Sequence, residues 1–83
     1  MEEFRLCWKP NKKGYVWRKS QTFHTRGGAT AHAYNLMIHI LENTVMYPGT
    51  KEYDKLQKQN NKLKETDDNV WFCNHIFKIE VII

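Results

Sequence analysis

Most of the positive charge that could bind a partner lies in the first third of this 83-residue sequence. Residues 1–28 hold seven Lys and Arg side chains against two Glu, whereas the rest of the chain is slightly acidic. Trp8, Tyr15 and Trp17 lie among these cations, an arrangement that suits phosphate neutralisation and base stacking in a single-stranded nucleic acid. Rings at alternate positions are also typical of the inner face of a sheet. The basic residues predicted to contact an anionic partner here are Lys9, Lys12, Lys13, Arg18 and Lys19.

A second basic group, Lys51, Lys55, Lys58 and Lys62, recurs at helical spacing. On a helix of 3.6 residues per turn these lysines fall within roughly 60° of one another and form a row. Such a row could follow a phosphate backbone or an acidic protein surface. The alternative is a solvated helix face on which Asp54 pairs with Lys58.

The segment from His24 to Thr30 joins a predicted strand to a predicted helix. Free N–H groups at a helix start attract anions, and Gly27 and Gly28 would let a phosphate approach the backbone beside Arg26. The segment lacks both the GK[ST] element of a Walker loop and the full dinucleotide-binding fingerprint. The alternative is a chain reversal followed by an ordinary N-cap. We include Arg26, Gly27 and Gly28 among the candidate anion-binding residues.

The histidines and cysteines form no recognisable metal or catalytic set. His32 and His39 are seven residues apart, about 10 Å along a helix, whereas helical zinc pairs are spaced by four. No Ser/His/Asp or Cys/His arrangement for nucleophilic catalysis can be identified from spacing. We therefore predict no catalytic residues, no metal and no cofactor. The enzyme alternative is a small metal-independent ribonuclease that uses His24 or His75 with Arg26.

Hydrophobic spacing predicts the elements that position these residues, beginning with a β-hairpin. Apolar residues alternate with polar ones from Phe4 to Trp8, which predicts the first strand. Alternation resumes at Tyr15, and the second strand is predicted to continue to Phe23. Between the two strands, the segment 10–14 carries the proline and glycine of a turn.

Helical spacing then begins at Ala29 and predicts a helix to about Val45 that is apolar around most of its circumference. Such a helix must be covered on two sides. A second helix is predicted from Thr50, its N-cap, to about Glu65. Its apolar stripe is thin and the pair at 60–61 (Asn-Asn) weakens its middle, so we expect it to dock on a surface.

The segment from Trp71 to Ile83 is predicted to form one long strand, bent near Asn74–His75, with a two-residue hairpin at that point as the alternative. The end of this strand must pair with a neighbour or present a free edge, through which a homodimer could form. The predicted fold is a single α+β domain, residues 1–83, of order β-β-α-α-β. Its antiparallel sheet carries two helices packed on one face.

Length and composition limit the function. A chain of 83 residues closes one small core, so a shallow working surface is expected rather than a deep cavity. Two cysteines are too few for a disulfide-stabilised secreted domain, which predicts reduced thiols and a cytoplasmic protein, in the host cytoplasm if the source is viral. No export signal or membrane segment is expected, because no sufficiently long apolar run occurs.

These features favour a non-catalytic accessory protein that docks through a basic surface on an acidic protein or nucleoprotein complex. Direct nucleic-acid binding is the alternative, and the ribonuclease is less favoured. In size and in its Asn- and Lys-rich composition the chain resembles small accessory proteins of phages. That resemblance implies an inhibitor or modulator of host machinery, and it carries no site residues.

Overall fold

The computed structural model describes all 83 residues as four strands and two helices. These are β1 (Glu3–Pro10), β2 (Arg18–Lys19), α1 (Arg26–Thr44), α2 (Thr50–Glu65), β3 (Val70–Phe72) and β4 (His75–Ile82). The strands form one antiparallel sheet in the order β2-β1-β4-β3, and both helices pack on one of its faces. The predicted α+β class and the order β-β-α-α-β are confirmed, the last β element being a hairpin of two strands.

The core lies between the helices and the inner face of the sheet. Phe77 on β4 is its largest fully buried side chain and pairs with Trp8 on β1 and Val70 on β3. Helix α1 turns residues spaced by four toward this face, and several of its other apolar side chains are half-buried. The buried apolar residues that the helices contribute are Ala29, Ala33, Met37, Leu41, Leu56 and Leu63.

One buried polar contact ties the helices together. The side chain of Asn60 is only 2% exposed, and its Nδ2 donates to the Thr30 carbonyl at 3.0 Å. A buried amide that satisfies its hydrogen bonds fixes how two helices pack, because any other arrangement leaves it unpaired. The residue expected to weaken α2 therefore joins it to α1.

The prediction that the second strand begins at Tyr15 is wrong. The predicted turn is present, with Gly14 in the left-handed region at φ 89°, but the chain stays irregular until β2 begins at Arg18. Beyond Lys19, contact with β1 continues through the Ser20 N–H, which donates to the Leu6 carbonyl at 2.9 Å, and through a bridge between Phe23 and Phe4. Because the first hairpin closes through a long loop, Trp17 is free to leave the sheet plane.

The C-terminal segment is a hairpin rather than one bent strand. The chain reverses at Cys73–Asn74, whose φ angles of 47° and 59° match the two positive values of a type I′ turn. This turn pairs Trp71 with Ile76 and removes Trp71 from the inner-face row that contains Phe77. Farther along, β4 pairs with β1 as far as Ile82. Pairing of two copies through this strand stays a prediction.

Candidate functional site

The face of the sheet opposite the helices, here called the open face, collects basic and aromatic side chains. Because cross-strand partners share a face, the register places its residues in rows across the strands. The first row is Trp71, Ile76 and Lys9; the second is Lys78, Cys7 and Lys19; the third is Glu80 and Arg5. The row nearest the β3–β4 turn is thus aromatic, apolar and cationic, whereas the third row contains the carboxylate of Glu80.

Trp17 packs on the open face against two ammonium groups. The Nζ atoms of Lys9 and Lys78 lie 4.8 and 4.6 Å from the centroid of its ring. Cations at this distance are attracted by the ring quadrupole, an interaction worth about 0.5–1 kcal/mol when exposed. Trp17 therefore orders two lysines that come from different strands, and no carboxylate is needed to hold them.

The third row contains the ion pair of the open face. Arg5 Nε and Nη2 donate to Oε1 of Glu80 at 2.8 and 2.5 Å, and Lys19 Nζ lies 3.9 Å from Oε2. The hydrogen bonds from Arg5 hold the pKa of Glu80 below its ordinary value. One carboxylate thus compensates part of the charge of two cations, and it is two rows away from Lys9.

A pH series on Glu80→Gln tests this ion pair. A lowered folded-state pKa contributes stability above the unfolded pKa of about 4.3, and that stability is lost as the pH falls through the folded value. The Glu80 side chain is 31% exposed, so solvent screening limits the expected loss at neutral pH to about 1 kcal/mol or less. Urea unfolding should show the difference from wild type shrinking below about pH 4.

Glu2→Gln is the matched control, because Glu2 is exposed and has no ion-pair partner. This variant should unfold like wild type across the same pH series. A Glu80→Gln difference that persists unchanged in acid would show that the carboxylate charge contributes nothing to stability.

Cys7 lies beneath the charged groups of the open face. It is fully buried, its Sγ is 3.8 Å from Glu80 Oε2, and burial together with that carboxylate raises the pKa of the thiol. Burial likewise raises the pKa of Cys73 in the β3–β4 turn. Both thiols are free. They are protonated and weakly nucleophilic at neutral pH.

The loop after β1 adds a cationic cleft beside the open face. The cleft has a volume of about 340 Å³, and no acidic side chain lines it. Lys9, Lys12 and Lys13 surround it, with Ile76 as its apolar component. The Asn11 N–H donates to the Asn74 carbonyl at 2.8 Å and anchors the loop to the β3–β4 turn. Three predicted residues therefore meet in one place.

Most of the basic side chains have no partner within the protein. Of the 13 Lys and Arg residues, only Arg5, Lys19 and Arg26 lie within 4.0 Å of a carboxylate oxygen. The sequence predicted an excess of cations around the first hairpin. The structure leaves Lys9, Lys12, Lys13 and Arg18 without an internal carboxylate.

Arg26 differs from the other predicted site residues because its guanidinium serves the fold. Nε donates to the Leu63 carbonyl at 3.0 Å, Nη2 donates to the Thr66 carbonyl, and Nη1 lies 2.7 Å from Asp67 Oδ1. These partners belong to the C-terminal end of α2, where a cation offsets the helix dipole. All three guanidinium nitrogens are engaged, so we leave Arg26 out of the site.

The two glycines after Arg26 have structural roles as well. The Thr25 hydroxyl accepts from the Gly28 N–H at 3.0 Å, which is an ordinary N-cap. A Cβ on Gly28 would meet the Phe23 ring at 3.1 Å, so glycine permits the strand end to pack on the helix start. Gly27 is exposed, its carbonyl accepts from the Thr30 hydroxyl at 3.2 Å, and it lines a cleft of about 680 Å³ between the helices together with Arg26.

The lysine row forms a separate surface on α2. Lys51, Lys55, Lys58 and Lys62 are all exposed, and none forms an ion pair; the alternative Asp54–Lys58 pair is absent. Of the row, Lys55 alone shares a cleft with Trp71, a cleft of about 460 Å³ that Leu41 and Val45 also line at the edge of the sheet. Arg18 pairs with Trp8 and therefore points to the helix side of the sheet edge.

The histidines lie in separate local environments. His32 contacts the rings of Trp8 and Phe23, with centroids 6.4 and 5.8 Å away. His75 Nδ1 lies 2.8 Å from the Cys73 carbonyl in the turn. No group of three or more His, Cys, Asp or Glu residues is placed to hold a metal ion. Neither helix combines the length and the apolar character needed to cross a membrane.

Sequence reasoning missed Trp71, Ile76 and Lys78 as members of the site. Their alternation in sequence was visible, but Trp71 joins the open face only because the turn reverses the chain at Cys73–Asn74. Asn74, a residue that tolerates positive φ, was the one available signal. Comparisons of the chain with protein-family models, curated proteins and solved structures found no match.

Proposed function

We propose that this protein is a non-catalytic binding protein that docks on a larger acidic partner, a protein or a nucleoprotein complex, through its open face and the adjoining lysine loop. The observation that carries the proposal is the cleft of Lys9, Lys12 and Lys13, which has no internal counter-charge. Three like charges around one cleft repel each other, and a bound external anion lowers this repulsion. An inhibitor or modulator of host machinery would act by such docking.

Two further observations support binding rather than catalysis. The open face adjoins a solvent-open cleft of about 340 Å³, which suits an extended partner better than an enclosed small substrate. The ribonuclease alternative depends on Arg26, whose guanidinium nitrogens are already engaged by α2 and Asp67. The proposed location is the cytoplasm, because both thiols are free.

Neutralising the loop lysines should weaken binding to defined polyanions. The variant has Lys9, Lys12 and Lys13 replaced by Gln, and the probes are polyglutamate and oligothymidylate, titrated at about 50 and 200 mM salt. Each lost phosphate contact lowers the slope of log affinity against log salt by about 0.7 on a single strand. We expect the slope to fall by about 2 and the affinity at low salt to fall roughly tenfold or more.

The matched control replaces Lys51, Lys58 and Lys62 with Gln, which removes the same charge from the far face of α2. If the partner binds to the open face, this control variant should lose less affinity than the variant of the loop lysines. Equal losses in both variants would show a response to net charge alone and would contradict the proposed site. If the wild-type protein binds neither polyglutamate nor oligothymidylate, the proposed binding function is refuted.

A further inference from the structure

We propose that the acidic partner of the open face is a single-stranded nucleic acid, whose bases stack on Trp71 while its phosphates lie on the loop lysines. This inference rests on the proposed function and names its ligand. It joins two features that lie side by side on the sheet, an exposed indole ring and a carboxylate-free group of lysines.

Trp71 is exposed in a way that packing does not explain. Its neighbours on β3, Val70 and Phe72, are 3% and 4% exposed, whereas Trp71 is 53% exposed. Exposing a large indole ring forgoes the burial that would stabilise so small a fold. The backbone beneath the ring is held on both sides, because β4 pairs along one edge and Gln59 Nε2 donates to the Trp71 carbonyl at 2.6 Å along the other. The ring is therefore presented on a fixed support.

The cations lie where the phosphates of a stacked strand would run. Trp71, Ile76 and Lys9 occupy one row across three adjacent strands. Strands are about 4.8 Å apart, so the backbones of Trp71 and Lys9 are separated by about 10 Å. Ile76 fills the space between them and also lines the lysine cleft. Ile76 itself is only 9% exposed, so a strand that crosses this row meets the ring of Trp71 on one side and the lysine cleft on the other.

Of the two carboxylates near this row, one is paired with an arginine and the other shares its cleft with a lysine. Glu80 lies in the third row and is hydrogen-bonded to Arg5. Glu52 lines the cleft beside Trp71, and its Oε1 accepts from the Gly49 N–H at 3.3 Å; Lys55 lines the same cleft. The electrostatic surroundings of Trp71 therefore favour a polyanion.

A single strand fits these features better than a duplex or an acidic protein. In a duplex the base faces are stacked on each other, so they are not available to stack on Trp71. A carboxylate-rich protein would match the lysines but supplies no regular series of flat rings between its charges. Single strands alternate π-faces with phosphates, and stacking on an exposed aromatic is tolerant of sequence.

The test measures binding of the full-length protein to fluorescein-labelled oligothymidylate of about 12 nucleotides. Trp71→Ala should weaken binding about tenfold while the salt slope stays unchanged, because stacking involves no counterion release. Trp71→Phe should recover most of the affinity. Tyr47→Ala is the matched control, since Tyr47 is 90% exposed on the connection between α1 and α2, outside the open face, and should alter affinity less than Trp71→Ala. Circular dichroism establishes that each variant is folded.

Four outcomes contradict the inference. If Trp71→Ala binds the oligonucleotide as tightly as wild type, the ring does not stack on the bases. If the protein binds a duplex of the same length equally tightly, unpaired bases do not contribute to binding. Lysine-dependent binding to polyglutamate without binding to the oligonucleotide would leave the proposed function standing and refute only the nucleic-acid ligand. Binding to neither probe would refute both.

Discussion

Phe77→Ala is expected to destabilise the fold by about 3–5 kcal/mol, the cost of deleting a fully buried aromatic ring and leaving a cavity. Phe77 is 0% exposed and lies at the centre of the sheet, paired with Trp8 and Val70. A domain of this length is stable by only about 5–10 kcal/mol, so the loss approaches the whole of its stability. Urea unfolding followed by tryptophan fluorescence measures the change.

Phe77→Leu keeps the experiment informative if the alanine variant does not fold, because its smaller loss of volume should cost about 1–2 kcal/mol. Trp71→Ala is the matched control on the same hairpin, and it should cost less than 1 kcal/mol because Trp71 is largely exposed. A greater loss from Trp71→Ala than from Phe77→Leu would mean that the ring on the open face is part of the core.

Arg26→Ala is expected to lower the free energy of unfolding by about 2 kcal/mol. The variant removes charge-assisted hydrogen bonds to the Leu63 and Thr66 carbonyls and leaves two C-terminal carbonyls of α2 without their partner. Arg26 lies in the first turn of α1, where the helix dipole disfavours a cation, so its benefit comes from α2. Chemical denaturation measures the loss.

Asp67→Asn separates the two kinds of contact that Arg26 makes. The Asp67 side chain is 66% exposed, so loss of this ion pair should cost only a few tenths of a kcal/mol. Arg26→Lys should recover part of the stability, since one ammonium cannot reach both carbonyls in the geometry of a guanidinium. A loss in Asp67→Asn as large as that in Arg26→Ala would mean that the ion pair, and not the capping of α2, stabilises the junction.

The sequence predicted both helices and strand β1 well because their signals are local. Helix α2 begins at Thr50 and ends at Glu65 as expected from Pro48–Gly49 and the apolar spacing that follows. Helix α1 begins three residues before the predicted Ala29, because Thr25 caps it and the two glycines continue it. The side chains of strand β1 alternate between the two sheet faces as predicted, since one of these faces is buried beneath the helices.

The errors came from one turn that carries no glycine and from a second strand whose pairing begins later than its alternation. Cys73 adopts φ 47°, a value uncommon for a residue with a side chain. The turn is therefore stabilised by the pairing of the two strands, and the residue type at this position does not predict it. Alternation from Tyr15 to Trp17 indicated a strand, but pairing with β1 begins only at Arg18. Alternation records which residues suit a sheet face, and it does not record whether a partner strand is opposite them.

The sequence by itself determined the α+β class, both helices and the concentration of positive charge in residues 1–28, because each follows from spacing or counting. Only the tertiary structure decided which of those charges have internal partners. Arg26 is engaged by the end of α2, whereas Lys9, Lys12 and Lys13 surround a cleft without a carboxylate. Charge compensation depends on groups distant in sequence that folding brings within a few ångströms, and a pattern along the chain does not contain those distances.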